Sequence, residues 1–209
     1  QQFIAGKLQP LPHQVFPIQQ ADDAFRYMAQ AKHIGKVVIS LPASNQVVKT
    51  DGSYLITGGM GALGLQVANW LAEEGAKHLI LLGRSQPKRS GQQEIEQLKQ
   101  QGITVDLIQI DLSDNQAVTN LFNNFNSTQT KIQGIIHAAG ILDDGLLKTL
   151  SWSSFQRVLQ PKVAGTWNLH QATAKLPLDW FVCFSSVVSA FGAAGQSNYA
   201  TANAFMDNL

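Results

Sequence analysis

Three glycines within six residues, Gly59, Gly61 and Gly64, are spaced for a binding task. They form G-x-G-x-x-G inside Thr57-Gly58-Gly59-Met60-Gly61-Ala62-Leu63-Gly64. An apolar run, Tyr54 to Ile56, precedes them, and a helical stripe with Val67, Ala68 and Leu71 follows from Leu65 to Glu74. Strand, glycine turn and helix, in that order, is the context a dinucleotide-binding turn requires. Gly59 is expected to allow the tight turn, Gly61 to admit a pyrophosphate against backbone, and Gly64 to let helix and strand pack closely. The helix N-terminus then offers free N–H groups and a partial positive charge to the phosphates. Taken alone, this stretch also fits a glycine-rich turn with no ligand.

Other residues extend that chemistry. Arg84 and Ser85 follow the next apolar run, 20 residues after Gly64. An acid there would bond the 2′-hydroxyl of NAD, whereas an arginine accommodates the 2′-phosphate of NADP. Asp111, with Leu112 beside it, ends a third run. It could accept from an adenine amino group, or it could be a plain turn residue before the cap Asp114. His137-Ala138-Ala139-Gly140 ends a fourth run, where small residues let a cofactor lie against backbone. His137 itself reads as a satisfied strand-end histidine sooner than as a catalyst.

Four residues further on could carry a reaction. Ser186 follows a fifth run, Trp180 to Phe184, and should face the cleft. Tyr199 and Asn203 are four apart on an expected helix, hence on one face. Lys162 shares a helical stripe with Phe155, Val158, Leu159, Thr166 and Leu169, the face that should bury. A lysine there is costly unless it has a ligand or partner. Each residue has a plainer reading: a solvated lysine, a strand-end hydroxyl, a core tyrosine, a helix-surface amide.

These residues need elements to hold them. Strands are expected at His78–Gly83, Val105–Ile110, Ile132–Ala138 and Trp180–Phe184. Helices are expected at Gln92–Gln101, from Asp114 to about Phe125, over Ser153–Ala174, and from Asn198 onward. Regular alternation with apolar strands implies a parallel sheet covered on both faces, with ligand outside the strands' carboxyl ends. At 209 residues and 44% hydrophobic, the chain can build such a core. A net charge of +1 suggests neither nucleic acid nor an anionic membrane as partner, and no run reaches spanning length. Cys183 is the single cysteine, so neither disulfide nor metal cluster is expected, which fits a reducing cytoplasm.

Residues 1–42 form a separate piece, and 43–52 a polar linker without period. Gln9 to Phe16, with Pro10 and Pro12, is expected to be extended. Asp22 and Asp23 should cap a helix, Ala24 to Lys32, and Lys36–Leu41 should be a strand after Gly35. From Pro17-Ile18 through Ala24-Phe25-Arg26-Tyr27-Met28 to Gly35-Lys36-Val37-Val38, this piece resembles the tail of the enoylreductase domain of polyketide and fatty acid synthases. That domain's own cofactor loop is not in this stretch, so no catalysis is assigned to it. An ordinary helix and strand docked on the main domain is the other reading.

The larger part, 53–209, resembles the ketoreductase domain of modular polyketide synthases. The resemblance rests on Thr57 to Gly64, Leu82-Gly83-Arg84-Ser85, His137-Ala138-Ala139-Gly140, Pro161-Lys162-Val163-Ala164-Gly165, Phe184-Ser185-Ser186 and Gly195-Gln196-Ser197-Asn198-Tyr199. These domains belong to the short-chain dehydrogenase/reductase superfamily, which implies an α/β, Rossmann-type doubly wound parallel sheet. The general superfamily pattern has lysine four residues after tyrosine. Asn203 stands there instead and the lysine is Lys162, an exchange typical of synthase ketoreductases.

The resemblance implies NADPH as cofactor, held by Thr57, Gly58, Gly59, Met60, Gly61, Leu63, Gly64, Arg84, Ser85, Asp111, Leu112, Ala138, Ala139, Gly140, Lys162 and Tyr199. Tyr199 would protonate a β-ketone, Lys162 would supply the cation a tyrosine of ordinary pKa about 10 needs, and also bond the nicotinamide ribose. Ser186 would bond the developing oxyanion, and Asn203 would orient the lysine or a water. The substrate implied is a β-ketoacyl thioester on the phosphopantetheine arm of an acyl carrier protein, with neighbouring synthase domains as further partners. Leu142-Asp143-Asp144 resembles the signature of the B-type, D-hydroxyl outcome. Phe191, eight before Tyr199, is not the tryptophan of the opposite hand, and position 201 is Thr, not proline. Asp143 and Asp144 could instead cap the next helix.

Two other functions compete: a free-standing NADP-dependent short-chain reductase, and a non-catalytic structural reductase domain. The chain opens on Gln1 and stops on the helix of Tyr199, so it is expected to be part of something longer. The superfamily fold uses two more strands and a closing loop after that helix. The 209 residues alone are therefore expected not to catalyse reduction, with Val182 and Phe184 of the last strand short of partners.

Overall fold

A computed structural model describes residues 11–31, 33–41 and 47–209. Contacts divide the chain into two units, Gln1–Val47 and Val48–Leu209. In the first, strand β1 (His13–Pro17) runs parallel to β2 (Lys36–Ser40), joined through helix α1 (Ala21–Ala29). The extended stretch is thus a paired strand, which tolerates its prolines because both members of a two-stranded sheet are edges. Helix α1 starts earlier than Ala24. Asp22 and Asp23 therefore sit in its first turn, where they complement the dipole, and Gln20 holds the cap position without a side-chain bond. Residues 1–10, Lys32 and 42–46, on which parts of these expectations fall, lie outside the described residues.

The second unit begins inside the stretch read as linker. Val48 is buried in the core, and the Tyr54 hydroxyl accepts from the Lys49 N–H and donates to the Lys49 carbonyl. Five strands follow: β3 (Ser53–Thr57), β4 (His78–Gly83), β5 (Thr104–Gln109), β6 (Ile132–His137) and β7 (Trp180–Cys183). All pair in parallel in the order β5-β4-β3-β6-β7. The chain moves outward from β3 to β5, then crosses to β6 and β7. The carboxyl ends of β3 and β6 therefore flank the switch point where a doubly wound sheet binds its ligand.

The central strands β3, β4 and β6 are buried on both faces because most of their positions are apolar. Tyr54, Ile56, Leu79 and Leu81 point to one side and pack on α2 (Ala62–Glu73) and α3 (Arg89–Gln100). Leu55, Ile80, Leu82 and Ile135 point to the other, against Val118, Phe122 and Phe125 of α4 (Asn115–Ser127). Each such side chain contributes roughly 1.5–3 kcal/mol by leaving water. Asp114 caps α4 by accepting from Ala117 N, as its position implies.

The long helix expected over 153–174 is broken by a wide turn. Helix α5 (Trp152–Leu159) passes into a π-helical turn, Gln160–Ala164, and then α6 (Gly165–Thr173). Pro161 explains the change: it has no N–H to give the carbonyl four residues back, and its ring crowds that carbonyl. A short helix α7 (Val188–Phe191) and helix α8 (Ser197–Asp207) complete the unit. Val182 on the edge strand β7 is 40% exposed, but Phe184 packs against the core, contrary to expectation. No helix among the described residues is long and apolar enough to cross a membrane.

Candidate active site

The glycine turn joins β3 to α2, and its glycines divide the work differently from the sequence expectation. Gly58, at φ +66°, is the left-handed residue of the turn, not Gly59. A Cβ on Gly59 would sit 2.7 Å from the Ile56 carbonyl oxygen and 3.0 Å from Leu81 Cα, so Gly59 serves the approach of β4. A Cβ on Gly64 would lie 2.3 Å from the Gly58 oxygen: the helix packs on the turn itself. At Gly61 the nearest atom would be 3.3 Å away, and this residue borders open cleft. No side chain caps α2, whose N-cap is Gly61. The turn is therefore a cradle that a side chain at 61 would fill, and it fits a pyrophosphate.

A cleft of about 670 Å³ runs from this turn to Tyr199. Gly58, Met60, Gly61, Leu63 and Gly64 form one wall, and Arg84 and Ser85 close one end. Ala138, Gly140, Leu142, Lys162 and Tyr199 surround the other. Its size suits a dinucleotide with part of a substrate. Beside Arg84 the cleft is also lined by Lys88 and Ser90, which sequence reasoning did not single out. A second cation four residues after Arg84, just before a helix, was the available signal.

A side pocket of about 110 Å³ opens between Leu82, Arg84, Asp111, Leu112 and Ala139. Asp111 combines the turn role and the pocket role. One carboxylate oxygen accepts from Ser113 N and Oγ, which with the nearby Arg84 charge holds its pKa below the usual range, and the residue still borders the pocket. The Leu112 carbonyl accepts from the buried amide of Asn168 at 2.8 Å, another contact the sequence did not disclose.

Thr57 does not border the cleft. It is fully buried, paired with His137 Nδ1 at 2.6 Å, and its hydroxyl oxygen accepts from Ala139 N at 3.2 Å. It locks β3 to β6 at the switch point. Burial pushes the His137 pKa down to about 4, aided by the Lys162 charge and opposed by the Pro161 carbonyl. A histidine depressed on folding contributes stability above its unfolded value of about 6.5, and loses it as pH falls toward about 4. This residue alone is expected to cost about 2 kcal/mol of folding stability between pH 7 and pH 5. Denaturant melts at both values, with His137→Gln beside the parent, test this; an equal pH slope in the two would contradict it.

At the Tyr199 end, the π turn carries Lys162 inward. It is only 4% exposed, and its ammonium donates to the Phe184 carbonyl at 2.9 Å and lies 5.3 Å from the Tyr199 ring centroid. Burial lowers its pKa, with Cys183 and Asp207 acting in opposition. Gly140 makes room: a Cβ there would sit 2.9 Å from Lys162 Cε. Asn203 is completely buried, so it is not a helix-surface amide. Its Nδ2 donates to the Tyr199 carbonyl and its Oδ1 is buried without a protein partner.

Ser186 lies three residues past the end of β7, and its Oγ accepts from Val188 N, the first residue of α7, at 3.3 Å. Its neighbour Ser185, not Ser186, borders the cleft. Among the stereocontrol residues only Leu142 borders it. Phe191 is 85% exposed. The carboxylates of Asp143 and Asp144 meet Arg157 and Gln196, and Ser151 caps α5, so neither aspartate is that helix's cap.

Known proteins share this fold. The KR domain family profile matches residues 52–209. The chain belongs to the KR, or ketoreductase, domain family of polyketide synthases. Residues 1–39 match a second family, described as zinc-binding dehydrogenase. The KR chain is 39% identical over its whole length to a phenolphthiocerol/phthiocerol polyketide synthase of Mycobacterium tuberculosis, of which it covers 10%. It resembles the crystal structure of a ketoreductase domain from the bacillaene assembly line, with TM-score 0.73 and 33% identity, covering 91% of this chain and 48% of that one. An N-terminal ketoreductase from the macrolactin assembly line gives TM-score 0.72 at 29% identity, covering 98% and 53%. The KR chain thus spans about a tenth of the curated relative and about half of each solved chain. Its class is that of nicotinamide-dependent reductases on a Rossmann-type sheet.

Proposed function

We propose that this domain reduces a β-ketoacyl thioester, carried on the phosphopantetheine of an acyl carrier protein, to a β-hydroxyacyl thioester during polyketide assembly, with NADPH as reductant. The observation that carries the reading is the buried Lys162 ammonium 5.3 Å from the Tyr199 ring, at the far end of the glycine-lined cleft. When bound, the reduced nicotinamide supplies the hydride. The chain's residues do the rest. The glycine turn and the α2 N-terminus hold the pyrophosphate, and Arg84 with Lys88 offers two cations to a 2′-phosphate. Tyr199 gives its hydroxyl proton to the ketone oxygen as the carbonyl π bond opens. Lys162 stabilises the negative charge left on the phenol oxygen. Asn203 Oδ1, buried without a protein partner, is suited to hold a water in the proton's path. A serine hydroxyl after β7 is the further donor to the ketone oxygen in this reading: Ser186 by the family resemblance, with Ser185 the one that borders the cleft.

The Leu142-Asp143-Asp144 sequence and a non-tryptophan at Phe191 support a D-configured hydroxyl. The test is incubation of the full-length protein that carries these residues with a β-ketoacyl thioester and NADPH, followed by chiral chromatography. A D product is expected; an L product contradicts the stereochemical part, and no reduction contradicts the whole.

A further inference from the structure

Two surface segments beside the cleft are tied together by contacts that the chemistry above does not use. One is the loop 141–150; the other, 192–198, runs straight into Tyr199. Gly145 N donates to the Gly195 carbonyl at 2.8 Å. Gln196 Nε2 donates to the Asp144 carboxylate at 2.9 Å. Asn198 is fully buried; its Nδ2 donates to the Asp143 carbonyl, and its Oδ1 accepts from Tyr199 N, both at 2.8 Å. On the far side Arg157 of α5 grips the Asp143 carboxylate through Nε at 2.9 Å and also through Nη2, and donates to Ser154 Oγ. Neither aspartate borders the cleft, although Leu142 next to them does.

The turn needs such restraint. Gly192 and Gly195 both sit in the left-handed region, at φ +69° and +81°. Glycine reaches that region freely but loses more entropy than other residues when held there. Backbone preference alone therefore does not settle where α8 begins. Tyr199 is the third residue of α8, inside its first turn, so any shift of the turn moves the phenol.

We propose that Asp143 and Asp144 are positioning residues, which fasten the turn before Tyr199 through Arg157, Gln196 and Asn198 and act on the reaction through Tyr199 instead of by touching substrate. The proposal rests on the ketoreductase reading. A displacement of about 1 Å at a catalytic group can cost on the order of a hundredfold in rate. The effect should fall on kcat and not on nucleotide binding, because the glycine turn and Arg84 lie at the other end of the cleft.

The experiment compares the full-length parent protein that carries these residues with its variants Asn198→Ala, Asp143→Arg, Arg157→Asp and the combined swap Asp143→Arg/Arg157→Asp. Three quantities are read: kcat and KM with a β-ketoacyl thioester, Kd for NADPH by fluorescence, and amide exchange over residues 196–203. Each single variant is expected to lose about tenfold to a hundredfold in kcat, keep Kd within about twofold, and exchange faster over 196–203. The swap should recover kcat and protection together, which a mere loss of folding would not. Faster exchange with unchanged kcat overturns the proposal, as do parent-like kcat and exchange together. Lost kcat with parent-like exchange, unrescued by the swap, also overturns it and points to direct contact of the carboxylate with substrate. If Asp143→Arg fails to bind NADPH, Arg157→Gln at the more exposed partner is read by the same outcomes. If the parent reduces no thioester, the ketoreductase reading fails by itself, and the exchange data still decide whether the clamp exists.

Discussion

Tyr199→Phe is expected to lower kcat for ketone reduction by about a thousandfold while leaving the Kd for NADPH within a few fold. A positioned general acid supplies roughly 10²–10⁴ in rate, and phenylalanine keeps the ring but removes the only transferable proton. Here the ring stacks under the Lys162 ammonium at 5.3 Å from its centroid, an arrangement the substitution preserves. Packing should survive too, since Asn203 holds the Tyr199 carbonyl and Asn198 its N–H, both backbone groups. Kinetics with a β-ketoacyl thioester and nucleotide titration by fluorescence separate the two effects. Turnover within tenfold of the parent would show that another group donates the proton. Ser185, which borders the cleft, would be the first to examine.

Arg84→Ala is expected to raise the KM for NADPH by about a hundredfold and to leave that for NADH within about threefold. A guanidinium on a phosphate makes charge-assisted hydrogen bonds of about 1.5–3 kcal/mol each, and a hundredfold corresponds to about 2.7 kcal/mol. Arg84 is exposed at the mouth of the cleft, so the fork has room to adapt and solvent screens part of its field. Lys88 on the same rim should keep some preference for the phosphorylated nucleotide, and Arg84→Ala/Lys88→Ala should remove it. A parent protein that uses both nucleotides equally well would refute the assignment of this end of the cleft.

Much of the fold was legible because its signals are local. The strands of the second unit are mostly apolar runs, as a sheet covered on both faces requires, and all five are found within about a residue of their expected bounds. Asp114 announced its helix by its side chain alone. Proline misled in both directions. Pro12 and Pro17 concealed β1, which forms because each strand of a two-stranded sheet is paired on one side only and can spare an N–H on the other. Pro161 was absorbed into a long helix, where it widens a turn. Residues 48–52 looked like a linker by composition, yet Val48 is buried in the core and the Tyr54 hydroxyl ties down the Lys49 backbone.

The types and spacing of residues by themselves determined the glycine turn, the cation after β4 and the group formed by Lys162, Tyr199 and Asn203. Each follows from a short-range pattern: a G-x-G-x-x-G between strand and helix, a fixed distance to the next strand, and an i, i+4 pair. Tertiary structure alone decided which way the side chains turned. Thr57 faces His137 and not the cleft, because the β3–β6 seam needs its hydroxyl. Ser185, not Ser186, borders the cleft, because the chain bends after Cys183 and the Ser186 hydroxyl turns to the Val188 N–H. Asp143 and Asp144 turn to Arg157 and Gln196, residues 14 and 52 positions away. No sequence period encodes such distances; they arise when loops of unrelated sequence are brought to one end of a sheet and their polar groups must find partners there.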